Sequence, residues 1–158
     1  MVVQLTDAEI QSLLKEEKHF PKEWATIFQM KEKRGHKEKE ITIERPDGSL
    51  FKIIVRQNSI NVMDFSIILG YMAPRSNVLF RLRRYNGKSH EHTNKIEGLT
   101  FYDYHLHTAT QRYQEAGFDE DGYAEPSSEY ADLQAAGDCL KKDCSIILPG
   151  KSQLPMTF

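Results

Sequence analysis

Two His-x-His pairs are the residues of this chain best suited to do chemistry. His90 and His92 form the first pair, and His105 and His107 form the second, so four of the six histidines fall within eighteen residues. Histidine is the side chain that titrates closest to neutral pH, and its neutral ring binds metal ions. The pattern therefore indicates general acid/base catalysis or metal binding in this stretch.

A basic run, Arg81-Leu82-Arg83-Arg84-Tyr85, comes just before these histidines. Fixed positive charge beside two imidazoles suits cleavage of a phosphodiester bond without a metal. One histidine would take the proton of a ribose 2′-hydroxyl and another would protonate the leaving oxygen, while arginine would stabilise the charge that develops on the phosphate. The predicted catalytic residues are His105 and His107 as the acid/base pair and His90 as a substrate or second proton-transfer residue. The predicted substrate-binding residues are Arg81 and Arg84 as phosphate clamps, Tyr85 as an orienting group, and His92.

Two other interpretations of the histidines remain open. They could be exposed polar residues on a loop and a strand edge, or they could join Glu91 or Asp103 around a metal ion. The spacing matches no familiar ligand motif such as His-Glu-x-x-His, so we expect no metal and no other cofactor.

The composition fits one soluble domain. The chain has 158 residues, a formal net charge of −2, and no apolar run near the twenty residues that span a bilayer. The amino terminus lacks the pattern of a secretory signal, so we expect a cytoplasmic protein with no membrane contact. Charge is uneven, because residues 118–143 carry eight acidic side chains against two lysines, and a basic partner could bind there.

The chain begins with patterns typical of helices. Thr6 and Glu9 have the spacing of a capping box, which predicts a helix over residues 7–18, and Pro21 followed by apolar residues predicts a short second helix. These two would form a helical hairpin. Residues 31–39 carry charges of both signs around a glycine and are predicted to be a solvated connector.

Alternating residues then predict five strands. The first two, 40–44 and 51–55, flank the turn residues 46–49, and the next two cover 60–69 and 77–85. The fifth covers 99–107 and would place Phe101, Asp103, His105 and His107 on one face. Because consecutive strands commonly pair, we expect the arginine strand and the histidine strand to be antiparallel neighbours.

The last third is predicted to hold an acidic loop and one helix. Residues 118–128 form the loop, and residues 129–144 form the helix with Ser127 or Ser128 as its cap. The prediction as a whole is a single α+β domain over 1–150, in which an antiparallel five-stranded meander carries an N-terminal helical hairpin and a C-terminal helix. Residues 151–158 would be a loose tail.

One family resemblance follows from these residues. The run Arg83-Arg84-Tyr85-Asn86-Gly87-Lys88-Ser89-His90-Glu91-His92, followed by Tyr104-His105-Leu106-His107, resembles the TumE-like toxins of bacterial toxin–antitoxin modules over about residues 77–110. The resemblance implies a small α+β toxin that acts on RNA and is held in check by a partner protein. The matching positions are Arg84, Tyr85, His90, His105 and His107.

Two functions of different classes are therefore expected. The first is a metal-independent, toxin-type ribonuclease of a toxin–antitoxin or mobile-element system, with RNA as substrate and an antitoxin-like partner. The alternative is a binding or inhibitor protein without catalysis, whose acidic segment occupies a basic surface of a target protein. The sequence leaves open whether the protein forms a homodimer.

Overall fold

The computed structural model describes residues 3–150 and 156–158 as an α+β fold. The helices are α1 (Asp7–Lys15), α2 (Trp24–Ile27), α3 (Gln111–Glu115) and α4 (Leu133–Asp143). The strands are β1 (Lys18–His19), β2 (Lys31–Lys33), β3 (His36–Glu44), β4 (Leu50–Asn58), β5 (Phe65–Met72), β6 (Phe80–Asn86), β7 (His92–Asn94), β8 (Leu99–Phe101), β9 (His105–Thr108), β10 (Ala124–Pro126) and β11 (Ile146–Ile147). No helix in these described ranges is long and apolar enough to cross a bilayer.

The main sheet has seven strands in the order β10-β9-β6-β5-β4-β3-β2, and each pairs antiparallel with its neighbours. The prediction of an antiparallel α+β fold is confirmed, but the sheet is longer at both ends than the predicted five-stranded meander. Two small pairs lie outside it: β1 with β11, which are parallel, and β7 with β8.

The N-terminal elements differ from the predicted helical hairpin. The capping box of Thr6 and Glu9 is present and starts α1 as expected, with Ile10, Leu13 and Leu14 buried. However, α2 is one turn of four residues, and the segment between the two helices includes the strand β1, which pairs with β11. The predicted connector 31–39 is also structured: β2 and β3 form a hairpin whose turn places Gly35 at a φ of 81°. A positive φ is readily adopted by glycine, so Gly35 makes this tight return possible.

The strand boundaries move where the predicted segments contain turns. The strand predicted over 60–69 begins only at Phe65, because residues before it form a turn in which Ile60 is exposed. The strand predicted over 99–107 breaks into β8 and β9, since Tyr102 to Tyr104 bend between them. Phe101 and Asp103 therefore do not continue one straight strand with His105.

The C-terminal third also holds elements that were not predicted. Ala124–Pro126 of the expected acidic loop pairs with β9 as an edge strand, where a proline at its end costs little. Asp132, not Ser127 or Ser128, caps α4 by accepting from the N–H of Ala135. Of the tail predicted to be loose, residues 156–158 pack against the core, with Met156 buried and the Phe158 ring 6.0 Å from that of Phe28. Residues 151–155 lie outside the described ranges.

The two faces of the main sheet have different coverings. On one face, which we call the helix-covered face, a row of apolar residues packs with the apolar sides of α1, α2 and α4. The paired residues of that row are Val55, Ile67, Tyr85 and Leu106. The next row points to the opposite side, which we call the open face, and consists of Arg56, Ser66, Asn86 and His105. All of the open-face row is polar, so this side of the sheet is where solutes can meet polar side chains.

Candidate functional site

The histidine strand lies beside the arginine strand, as predicted. β6 and β9 are antiparallel neighbours, with Arg84 opposite His107 and Asn86 opposite His105. Residues paired across two strands point to the same face of a sheet, so these four side chains lie together on the open face. The ring centroids of His105 and His107 are 5.0 Å apart.

A small hairpin brings the other two histidines to the same place. β7 and β8 pair with each other, and His92 on β7 stacks on His105 with ring centroids 5.4 Å apart. The His92 ring also meets the His107 ring edge-on at 4.8 Å. His90 is exposed, and its ring centroid lies 5.4 Å from that of His105. All four histidines singled out in the sequence are therefore one cluster.

Backbone carbonyls fix how the buried pair carries its protons. The Nδ1 atoms of His105 and His107 lie 2.8 Å from the Asp103 carbonyl oxygen and 2.7 Å from that of Asp121. A carbonyl only accepts, so each Nδ1 is the protonated nitrogen and each Nε2 keeps the lone pair of the neutral ring. Both rings are buried, and burial lowers the pKa of His105 to about 4 and that of His107 to about 2. Arg84 adds to the lowering at His107 through its positive charge.

The tautomer of His92 is fixed by Asn94. The Asn94 amide makes two bonds with the backbone of Ala124: its Nδ2 donates to the carbonyl at 2.8 Å, and its Oδ1 accepts from the N–H at 2.9 Å. Asn94 Oδ1 is therefore an acceptor, and the Nε2 of His92, 2.8 Å away, is the donor. Asn94 is buried, and it ties the β7–β8 hairpin to the sheet edge.

Arg84 connects the histidines to a buried carboxylate. Its NH2 nitrogen lies 3.5 Å from His107 Nε2, and its Nε lies 3.2 Å from Asp121 Oδ2. Asp121 is almost fully buried, and burial raises the pKa of its carboxyl, although Arg84 and Arg81 pull it the other way. The site thus combines neutral imidazoles with a guanidinium that is partly neutralised.

Arg81 reaches the same carboxylate because β6 contains a bulge. The pairing with β5 shifts between Leu69 and Gly70, which leaves Leu82 as an extra residue. Arg81 and Arg84, three apart, therefore share a face, and Arg81 NH2 lies 3.3 Å from Asp121 Oδ1. Glu120 and Asp119 also lie within 4 Å of the Arg81 guanidinium, so three carboxylates occupy this predicted phosphate clamp.

Tyr85, the predicted orienting group, points away from the histidines. It is buried in the helix-covered face, where its hydroxyl donates to Asp143 Oδ2 at 2.8 Å, and burial raises its pKa. Strict alternation along residues 77–85 would place Tyr85 on the same face as Arg81, and the same bulge moves it to the opposite face. The structure therefore brings together Arg84, His90, His92, His105 and His107, but not Tyr85.

Two cavities meet at Arg84 and His90. The larger, about 550 Å³ in volume, runs over the open face and the β2–β3 turn; its charged or titratable lining residues are Arg34, His36, Arg56, Asp64, Arg84 and His90. The smaller, about 210 Å³, lies under the β7–β8 hairpin and is lined by His92, His107, Lys95 and Asp121, among others. Three arginines and one carboxylate line the larger cavity, so its lining carries a net positive charge, although Arg56 also pairs with Glu38 at 3.3 Å and Arg84 pairs with Asp121 at 3.2 Å.

Comparison with known proteins finds one family. The model of a family of unknown function, DUF6978, matches residues 5–143. The chain belongs to this family. No curated protein and no solved structure matches it. The matched span extends from the start of the fold to the end of α4 and includes every residue of the histidine cluster.

Sequence reasoning missed three polar residues of this DUF6978 site. Asn86 and Asp121 are buried beside His105 and Arg84, and Asn94 orients His92. Asn86 had a signal, because it is two residues after Arg84 and so shares its face. Asp121 had no such signal, since it follows other acidic residues in the sequence and differs from them only in being buried by the fold.

Proposed function

We propose that this protein is a toxin-type endoribonuclease whose cleavage site is the histidine cluster and Arg84. One observation carries the proposal: four imidazoles and a guanidinium converge where a cationic cavity meets a smaller one. The resemblance to TumE-like toxins rests on the same residues and favours RNA as the substrate and an antitoxin-like protein as the partner.

The reaction that suits these groups is attack by the ribose 2′-oxygen on the adjacent phosphorus. The 2′-hydroxyl gives its proton to a basic group of the site while the new O2′–P bond forms and the P–O5′ bond breaks. The leaving 5′-oxygen takes up a proton, so the products are a 2′,3′-cyclic phosphate and a free 5′-hydroxyl. Arg84 stabilises the charge on the phosphate oxygens as it develops.

The hydrogen bonds of the cluster support separate roles for the histidines as proton acceptor and proton donor. His105 and His107 each hold the Nδ1 proton on a carbonyl, so each ring offers a lone pair and not a proton. They are therefore proton acceptors in this reaction, and His105, whose pKa is lowered less, is the stronger base of the two. His90, exposed at the junction of both cavities, is the residue that meets the leaving oxygen. The sequence predicted His105 and His107 as the acid/base pair. In this proposal the base comes from that buried strand and the acid is His90 on the exposed loop.

The larger cavity fits the substrate. Arg34 and Arg56 line this cavity beside Arg84, as binding of a polyanion requires, and Arg56 is also paired with Glu38 at 3.3 Å. The neighbouring Arg81 is paired with its own chain's acidic residues, and we assign it a structural role instead of phosphate binding.

The same ion pairs weaken the alternative of an inhibitor that uses its acidic segment. Asp121 is buried, and Asp119 and Glu120 contact Arg81 of the same chain, so their charge is partly neutralised before any partner arrives. Reversing the charges of Asp119 and Glu120 would abolish partner capture if this alternative were correct.

The test is cleavage of a 5′-labelled single-stranded RNA by the purified protein. We expect wild type to leave 2′,3′-cyclic phosphate ends and to spare the same strand with 2′-deoxyribose throughout. His105→Ala with His107→Ala should lower the rate at least about 10³-fold, the scale of a lost acid/base group. Expression of wild type, and not of this variant, should arrest growth.

Because His105 and His107 are buried, the folding of the double variant is checked by circular dichroism, and His90→Ala provides a second, exposed variant. The matched control is His19→Ala, an exposed histidine outside the cluster. Cleavage by the folded double variant at the wild-type rate would exclude the cluster. Absence of cleavage by wild type against a panel of RNAs would refute the ribonuclease.

A further inference from the structure

We propose that His92, His105 and His107 bind one divalent transition-metal ion, with Zn²⁺ as the type case. One ring nitrogen from each histidine lies within 4.8 Å of the others, a grouping of three possible ligands found in the described part of the chain. Three imidazoles with a fourth position left for water or a substrate oxygen is a donor set that zinc uses in catalytic sites.

The hydrogen bonds around the rings are those that metal-binding histidines make. A histidine ligand commonly donates its second ring N–H to a carbonyl, which fixes the tautomer and the orientation of the ring. His105 and His107 both donate Nδ1–H to backbone carbonyls, at 2.8 and 2.7 Å, and so present Nε2. These anchors hold the two rings on the same side of β9 before any ion binds.

The distances require a small closure. Zn–N bonds of about 2.05 Å that meet at the tetrahedral angle place ligand nitrogens about 3.3 Å apart. The grouping therefore has to contract by up to about 1.5 Å from the 4.8 Å that separates its members. His105 and His107 belong to the central sheet, whereas His92 belongs to a hairpin of two three-residue strands. The nitrogen–nitrogen distances therefore shorten by movement of the β7–β8 hairpin, which carries His92.

The binding of an ion also depends on the charges and the buried polar atoms around the three histidines. Arg84, 3.5 Å from His107 Nε2, repels a cation, but the buried Asp121 carboxylate opposes that charge from 3.2 Å. Among the described residues, Asn86 Oδ1 is buried without a hydrogen-bond partner, whereas Asp121 Oδ2 is ion-paired with Arg84 Nε at 3.2 Å without forming a hydrogen bond. The Nδ2 of Asn86 lies 3.3 Å from His105 Nε2. A buried oxygen without a donor indicates a missing group, and water on a bound ion would supply the donor.

The inference deepens the proposed function, and only its catalytic consequence rests on that function. A bound ion would add a Lewis acid beside Arg84, and its water would replace the histidine lone pairs as the basic group. Metal binding itself is measured on the protein alone, so the two proposals can fail separately.

The experiment uses full-length protein made without a polyhistidine tag and stripped with EDTA. Zn²⁺ is titrated calorimetrically, and Co²⁺ is added as a spectroscopic probe. We expect one equivalent of Zn²⁺, visible Co²⁺ absorption of four-coordinate intensity, and a melting temperature that rises by at least about 4 °C with saturating Zn²⁺. A stoichiometry below about 0.2, or no change in melting temperature, would overturn the proposal.

His92→Ala is the decisive variant, because His92 lies on the small hairpin and its removal leaves the buried strand intact. It should weaken Zn²⁺ binding at least about 100-fold, whereas His19→Ala, an exposed histidine elsewhere, should bind as wild type does. Equal affinity of His92→Ala and wild type would overturn the site. Loss of binding in both variants would do so as well, since the ion would then not be specific to the cluster.

RNA cleavage by the same samples separates the two proposals. Zinc binding without cleavage in any metal state refutes the ribonuclease and leaves the metal site standing. Cleavage that is equal in EDTA and in Zn²⁺, by protein that binds no metal, overturns the metal site and supports the metal-independent reaction expected from the sequence.

Discussion

The two faces of the main sheet differ in how completely their buried polar groups are hydrogen-bonded. On the helix-covered side, Lys18 is fully buried, yet its Nζ meets four carbonyl oxygens between 2.8 and 3.1 Å, and the Tyr85 hydroxyl donates to Asp143. On the open face, Asn86 Oδ1 is buried without a hydrogen-bond partner, and the buried atoms Arg84 Nε and Asp121 Oδ2 are ion-paired at 3.2 Å without forming a hydrogen bond; in the described ranges, Arg83 Nε is the one such atom on the helix-covered side. Satisfied polar groups stabilise a fold, whereas unsatisfied ones next to cavities indicate a ligand.

This difference separates structural from functional residues within a single strand. Arg83 and Tyr85 of β6 serve the helix-covered face, and Arg84 and Asn86 serve the open face. Substitutions on the helix-covered face should therefore lower the free energy of unfolding without changing the rate of RNA cleavage. Substitutions on the open face should lower the rate of RNA cleavage with little change in the free energy of unfolding.

The largest effect should come from Lys18→Met. The substitution keeps most of the side-chain volume but leaves the carbonyls of Leu13, Leu14, Glu16 and Cys144 without their donor. We expect the free energy of unfolding to fall by about 3 kcal/mol in urea titrations, with the RNA cleavage rate of folded protein unchanged. Lys22→Met, at an exposed lysine, is the control; a loss below about 1 kcal/mol would show that the carbonyl cage is not a source of stability.

Arg84→Lys tests the open face. Lysine keeps a positive charge for Asp121 but cannot offer two parallel N–H groups to a phosphate. The RNA cleavage rate should fall about 100-fold, or about 2.7 kcal/mol in the barrier, while the melting temperature changes little. Arg75→Lys, on an exposed turn, should cleave normally. An unchanged rate in Arg84→Lys would remove Arg84 from phosphate binding.

The stability that Lys18 contributes should depend on pH. Burial lowers the pKa of Lys18 to about 8, whereas the unfolded chain releases the same proton near 10.5. Between these values the unfolded state holds more protons, so stability rises with pH. The difference in unfolding free energy between wild type and Lys18→Met should therefore grow by about 2 kcal/mol from pH 7.5 to 9.5. A difference that stays constant would mean that Lys18 keeps its proton throughout.

Tyr85→Phe should have the smallest effect, and it tests directly whether Tyr85 belongs to the cleavage site. It removes the 2.8 Å bond to Asp143, so the free energy of unfolding should fall by about 1 kcal/mol. RNA cleavage should not change, because the ring lies on the helix-covered face. A tenfold loss of cleavage, absent from the exposed control Tyr102→Phe, would contradict the division between the faces and restore Tyr85 as an orienting group.

The sequence was sufficient for those parts of the site that depend on local alternation. His105 and His107 share a face because they are two apart on a strand, and the pairing of that strand with the arginine strand followed from chain order. Tyr85 was wrongly included in the site, because the bulge that places it on the helix-covered face leaves no pattern in the residues beside it. Long-range contacts were out of reach: His92 joins the cluster through a three-residue strand, and Asp121 arrives from an acidic loop.

The bulge at Leu82 also determines how β6 responds to a change in length. Elsewhere in a central strand, deleting one residue exchanges the two faces of everything beyond the deletion. Leu82 is the extra residue opposite the Leu69–Gly70 step, so its deletion would make the pairing regular and leave Arg81, Arg84 and Asn86 on the face they now occupy. Deleting Arg83 instead would also make the pairing regular, because Leu82 would then lie opposite Leu69 while Arg81 and Arg84 keep their partners. The bulge is therefore a place in this strand where a shortened relative could lose one residue and keep the same open face.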